Sequence, residues 1–198
     1  MAVRSIKRSL YSSNPQKYQS FLAGNDAYSP FAFESIATAT GTGSSGTITF
    51  SSIPSTFKHL QLRIMCNDTN NGNYLQITAN NDTSASNYVR HFLKGNGTAA
   101  SAGGTASGTY ASWLDSSYAG YSTNTMAVKI VDILDYGSTT KNKTFRGFFG
   151  YDQNGAGDVI ISSGLWLSTT AIDRLDVFVS GSNFTTASTF ALYGIKEA

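Results

Sequence analysis

The chain has 198 residues and a mass of 21.1 kDa, enough for one domain with a substantial core, or one domain plus an arm. Only 13% of its residues are charged, aromatics also reach 13%, and Ser, Thr, Asn and Gly together fill 82 positions. That composition excludes a helical bundle, which draws about half its residues from Ala, Glu, Lys, Leu and Arg, and a disordered chain, which is poor in aromatic and branched apolar residues.

Other classes fall away as quickly. No stretch approaches the roughly 18 apolar residues of a transmembrane helix. The start, Met1 to Leu10, is basic, but no apolar run of secretory length follows it, so no export signal is expected. Cys66 is the sole cysteine, which leaves no internal disulfide and no cysteine-rich metal site.

The net charge of +2 is unevenly spread. Residues 1–30 carry Arg4, Lys7, Arg8 and Lys17 against Asp26, a balance of +3, so the rest of the chain is close to neutral at −1. Residues 1–31 read as a basic N-terminal docking arm on a body formed by residues 32–198. Four cations over 17 residues are a weak nucleic-acid signal. A protein partner fits better, because Ile6, Leu10, Tyr11, Tyr18, Phe21 and Leu22 supply apolar anchors. Arg4, Arg8, Tyr11, Tyr18 and Phe21 are the candidate docking residues. Asn14-Pro15 predicts a short helix near 15–23, with proline at its first position.

From Phe31 onward the apolar residues recur with period two, between clusters of Gly, Ser, Asn and Thr. Phe33–Thr40 alternates, Gly41–Gly46 is a turn and Thr47–Phe50 returns, which predicts a hairpin over 33–50. His59–Met65 places Leu60, Leu62 and Ile64 on one face. Tyr74–Thr78 and Asn87–Leu93 are further strands. Residues 95–108 are built from Gly, Ala, Ser and Thr and predict a long surface loop. Strands follow at 125–134, 143–152, 158–168, 173–180 and 188–196, and the runs Phe145–Tyr151 and Leu165–Leu167 are apolar enough to be central. Roughly ten strands in about 165 residues must close or fold into two packed sheets to bury an apolar face. The expected fold is all-β, an antiparallel two-sheet sandwich of jelly-roll type preceded by an extended arm, with a closed up-and-down barrel as the alternative.

Catalytic and metal constellations are scarce. His59 and His91 lie on outward strand faces with no nucleophile-elbow motif, and no carboxylate spacing completes a triad or a zinc site. Asp132/Asp135 and Asp173/Asp176 are three apart, which in a strand puts the partners on opposite faces and not astride one glycosidic bond. The loops Asp68–Asn73 and Asp152–Asp158 gather oxygen ligands near glycine, but neither matches the twelve-residue calcium loop, and Asx-type turns account for both. Five Asn-x-Thr sequons, starting at Asn67, Asn81, Asn96, Asn142 and Asn183, are expected by chance in such a composition and should stay unmodified without an export signal. The expectation is a non-enzymatic protein with no cofactor and no metal. Tyr110, Trp113, Tyr118 and Tyr121 form the remaining cluster. Such aromatics suit sugar stacking or a protein interface, or simply cap one end of the sandwich.

The runs Phe33–Thr38, Gly43–Gly46 and Ile48–Arg63, with the closing Ser182-Asn183-Phe184 and Ser188–Lys196, resemble a recurrent module of tailed-bacteriophage virion proteins. The resemblance spans about 32–198, and its motifs are structural punctuation with no catalytic residue among them. It implies a virion structural protein. A module standing behind a short arm, without stalk repeats, implies a capsid decoration (cement) protein that binds the major capsid protein or another virion protein as a homotrimer. The alternative is a short tail fibre, tail-tip or head-fibre protein binding host-surface glycans. Location in the virion after synthesis in the host cytoplasm, no membrane association and no nucleic-acid partner go with either.

Overall fold

The computed structural model describes residues 33–84, 86–109, 119–122 and 124–196, with backbone alone for Tyr121 and Ser122. Twelve strands and no helix occur among them. These are β1 (Phe33–Thr40), β2 (Thr47–Phe50), β3 (His59–Cys66), β4 (Leu75–Ala79), β5 (Tyr88–Gly95) and β6 (Ala100–Gly108), then β7 (Gly120–Ser122), β8 (Thr125–Leu134), β9 (Lys143–Asp152), β10 (Gly157–Trp166), β11 (Leu175–Val179) and β12 (Thr189–Ile195).

They form two antiparallel sheets. The larger runs β1-β12-β3-β8-β9-β10-β5-β6, with β7 also paired to β8, and the smaller runs β2-β11-β4. The first four strands and the last two wind together. The N-terminal strands alternate between sheets, β1 and β2 pair with β12 and β11, and β3 and β4 pair with the other edges of the same two strands. This nested winding is that of a jelly roll, and the all-β sandwich read from the sequence is the fold. The two sheets are unequal, because β9, β10, β5 and β6 continue the larger sheet beyond β8.

Alternation decides which face is buried. Leu60, Leu62 and Ile64 of β3 point between the sheets and are essentially inaccessible, as are Leu75 and Ile77 of β4, Leu175 and Val177 of β11, and Phe145 and Phe149 of β9. Each such side chain contributes roughly 1.5–3 kcal/mol of burial, so the core cluster carries the fold.

Two expectations are corrected. Residues 33–50 are not a hairpin: β1 and β2 belong to different sheets, and the bend between them carries the chain across the end of the sandwich. A Cβ on Gly41 would stand 2.1 Å from the Thr185 carbonyl oxygen and one on Gly46 2.2 Å from that of Ser182, so the crossing is packed too closely for a side chain. Residues 95–108 are not a long loop. Asn96–Ala99 make a tight turn, closed by Asn96 Oδ1 accepting the N–H groups of Thr98 and Ala99 at 3.0 and 2.8 Å, and β6 returns along β5 as the sheet's edge. The small residues have a reason here, since a Cβ on Gly103 would lie 2.7 Å from the Phe92 ring and one on Gly104 2.7 Å from that of His91.

A polar joint ties the two sheets at one end. Trp166 Nε1 donates to Asp82 Oδ2 at 2.7 Å. Tyr88 donates to the Asp82 carbonyl at 3.1 Å, accepts the Ala79 N–H at 3.0 Å and stacks on Trp166.

Candidate functional site

The docking residues expected in the arm, Arg4, Arg8, Tyr11, Tyr18 and Phe21, lie outside the described residues, and so do the helix expected near 15–23 and the aromatics Tyr110, Trp113 and Tyr118. Tyr121 falls in β7, where only its backbone is described.

Several of the residues weighed for catalysis make structural contacts. His59 Nδ1 accepts the Asp135 backbone N–H at 3.0 Å, which fixes the turn after β8. Asp135 carries Lys141 at 2.8 Å and Lys58 at 3.6 Å, and the Lys141 hydrogen bond, foremost, holds its carboxyl below the usual range. Asp176 is buried and accepts both Arg174 Nε and Nη2, at 2.7 and 2.8 Å, together with the Thr49 hydroxyl at 2.6 Å. The oxygen-rich loops are Asx-rich turns: the Asp68 carbonyl accepts the Asn71 N–H at 3.3 Å in the first, and the second is an Asx turn on Asp152. Asp68 Oδ1 accepts the Gly72 N–H at 3.1 Å, and Asp152 Oδ1 accepts the Asn154 N–H at 2.8 Å. Among the described residues no group of three or more His, Cys, Asp or Glu is placed to hold a metal ion. Cys66 is fully buried, and burial pushes its thiol up to about 12, far from the thiolate that nucleophilic chemistry requires.

The feature that stands out is the outer face of the larger sheet. Register aligns its outward side chains into rows across the strands. One row runs Leu93 (β5), Ile161 (β10), Phe148 (β9) and Ile130 (β8), each directly opposite the next. The adjacent row runs Val159 (β10), Gly150 (β9), Val128 (β8) and Met65 (β3). Leu93, Ile161, Phe148, Val159, Val128 and Met65 are each 44–56% exposed. Six half-exposed apolar side chains make a patch on the order of 500 Å², near the upper limit for the largest patch on a monomeric protein.

A polar belt borders this patch on the side of the next row. Arg146 Nη2 donates to Asp132 Oδ2 at 2.8 Å, Gln61 Nε2 donates to Asp132 Oδ1 at 2.8 Å, and Arg63 Nε donates to Gln61 Oε1 at 2.8 Å. The Arg63 guanidinium also lies over the Tyr193 ring, 5.3 Å from its centroid. On the opposite border stands Asp152, the last outward residue of β9. Beyond β3 the small outward residues Thr38, Thr40, Thr189 and Ala191 leave an open trough of about 570 Å³, walled by Arg63 and Met65. The result is a flat apolar platform with charged rims, suited to covering another protein surface and without a cleft that would enclose a small substrate.

Neither the arm nor the aromatic cluster led to this face. Its signal lay in β9, whose run Phe145-Arg146-Gly147-Phe148-Phe149-Gly150 carries aromatic rings on both faces. Read as a central strand, it is central in its sheet, but among the described residues only its inner face is packed against other strands. No family model, no curated protein and no solved structure matches the chain.

Proposed function

We propose that the chain is a structural protein of a tailed-phage virion, most specifically a decoration protein that binds the assembled head and stabilises it. The observation that carries this reading is the exposed apolar platform on a rigid sandwich: a surface built for protein contact, beside loops whose carboxylates and histidine are committed to turns and clamps. The sequence resemblance to virion modules supplies the setting. The mechanism is mass action. A protein that binds only the assembled shell stabilises it by RT ln(1 + [L]/Kd), so saturating occupancy at 100 times Kd is worth about 2.7 kcal/mol per site. In this reading the basic arm, with Arg4, Arg8, Tyr11, Tyr18 and Phe21 as anchors, grips the capsid protein, and the body links neighbouring copies so that several arms act together.

Immunogold labelling of intact virions with antibody to this chain tests the reading. Label over the head is the expected result, and removal of residues 1–31 should then abolish binding and lower the temperature at which heads release DNA. Label confined to the tail or its tip would replace decoration with host adhesion, and the Tyr110, Trp113, Tyr118 and Tyr121 cluster would become the surface to test against glycans.

A further inference from the structure

After Thr144, strand β9 presents outward Arg146, Phe148, Gly150 and Asp152: a cation, a large apolar knob, a position with no side chain, and an anion. Each half of this series is the complement of the other half read backwards. A second copy laid face to face, with its β9 antiparallel and the two-fold axis between Phe148 and Gly150, sets each knob over the partner's empty position and each cation against the partner's anion.

The neighbouring strands agree. The same axis brings Ile161 over Val159 on β10 and Ile130 over Val128 on β8, because these residues occupy the same two rows as Phe148 and Gly150. Nothing charged stands within those rows on β8, β9 or β10. Arg146 is suited to a second carboxylate: its side chain is 66% exposed, one of its five N–H donors is engaged by Asp132, and the belt pins its position. Asp152 is exposed at the opposite border and uses Oδ1 on its own turn. Gly150 is open to solvent, since a Cβ there would have the Asp158 carbonyl oxygen as its nearest neighbour, at 3.6 Å.

We propose that the outer face of the larger sheet is a self-association surface, and that two copies of this chain pack through it as an isologous two-fold dimer centred on β9. The platform of about 500 Å² plus the polar rims reaches the roughly 800 Å² per partner of a standard interface. Sheets meeting this way lie about 10 Å apart with strands crossing near −30°, which keeps the central β8, β9 and β10 pairs in contact. The assembly takes the place of the homotrimer implied by the resemblance. It does not depend on where in a virion the chain sits.

The test is analytical ultracentrifugation of the full chain over a concentration series, with Tm measured alongside. The expected species is a dimer. Gly150→Val fills the seat of the partner's Phe148 while meeting only ordinary contacts within its own copy, so it should weaken the dimer by tenfold or more with Tm of the dissociated chain unchanged. Arg146→Asp and Asp152→Arg should each weaken it similarly, and the double exchange should restore it, which a merely sticky surface would not do. A monomer or trimer at high concentration would overturn the proposal. So would a dimer indifferent to Gly150→Val, or one not rescued by the double exchange.

Discussion

Arg146 and Asp132 stand directly opposite each other on β9 and β8, and the guanidinium donates to the carboxylate at 2.8 Å. Gln61, one strand further on, takes the other carboxylate oxygen at the same distance, so one aspartate on the sheet's outer face holds three strands in register. The Arg146 side chain is mostly in solvent, which screens the charge term, while the Gln61 hydrogen bond is half-buried and keeps its value. Asp132→Ala should therefore cost about 1 kcal/mol, read as a lower urea midpoint with unchanged slope. Most of that loss should persist in high salt.

Asp82 gives the fold an acid limit. Burial alone would raise its carboxyl, but the indole N–H of Trp166, the Asn87 amide and the Ser84 N–H outweigh that and hold it at about 2, below the ordinary 3.8. A carboxyl held lower in the folded chain than in the unfolded one adds stability above the ordinary value, and that stability drains away as pH falls toward the folded value. Stability should thus fall between pH 4 and pH 2 by an amount that shrinks in Asp82→Asn. Trp166 fluorescence during urea titrations across that range would record it.

Gly147 lies on the inner face of β9 beneath the Phe149 ring, and a Cβ there would stand 2.0 Å from Phe149 Cζ. Phe149 is inaccessible and part of the core, so its ring has nowhere cheap to go. Gly147→Ala should destabilise by about 1–3 kcal/mol through overpacking, measured as a drop in Tm. Adding Phe149→Leu should return part of the loss, because the smaller side chain clears the site.

Lys129 and Cys66 share the interior near the end of β3 and β8. Burial draws the Lys129 ammonium down to about 8, with the Cys66 charge acting the other way, and its Nζ sits 5.7 Å from the centroid of the Phe149 ring. Below pH 8 both states bind this proton. Above it the unfolded chain holds the proton and the folded chain releases it, so stability should rise from about pH 7.5 to 8.5, beyond which ionisation of Cys66 in the unfolded state, centred on its ordinary 9.0, increasingly offsets the gain. Urea midpoints across that range should climb in the native chain and climb less in Lys129→Met. Cys66 should resist thiol reagents throughout, reacting only at the rate of global unfolding.

The sequence made the buried half of the fold readable wherever one face is apolar and the other polar. Leu60, Leu62 and Ile64 alternate with Gln61 and Arg63, and both the span and the face of β3 follow from that contrast. The last five strands were legible from a different signal, apolar runs bounded by clusters of Gly, Asn, Ser and Thr. Contrast fails at the two extremes. In β6 the residues are uniformly small, so no periodicity exists to read, and only the ring contacts at Gly103 and Gly104 explain why a strand wants them. In β9 both faces carry large apolar rings, Phe145 and Phe149 on one and Phe148 on the other, and nothing local tells the packed face from the exposed one; that depends on which side of the larger sheet the smaller one packs against. The hairpin expected over 33–50 failed because turn residues mark where the chain bends, not which sheet it enters next.

The β5–β6 turn has a practical value for display. Gly95 and Gly97 have nothing within 4 Å of where a side chain would start, Asn96–Ala99 stand at the surface, and β6 ends the sheet without contributing to the buried cluster. A peptide grafted between Gly97 and Thr98 would extend from the rim of the sandwich without entering its interior. The body can thereby carry a foreign epitope, and a repeating array of such bodies would present that epitope at regular intervals.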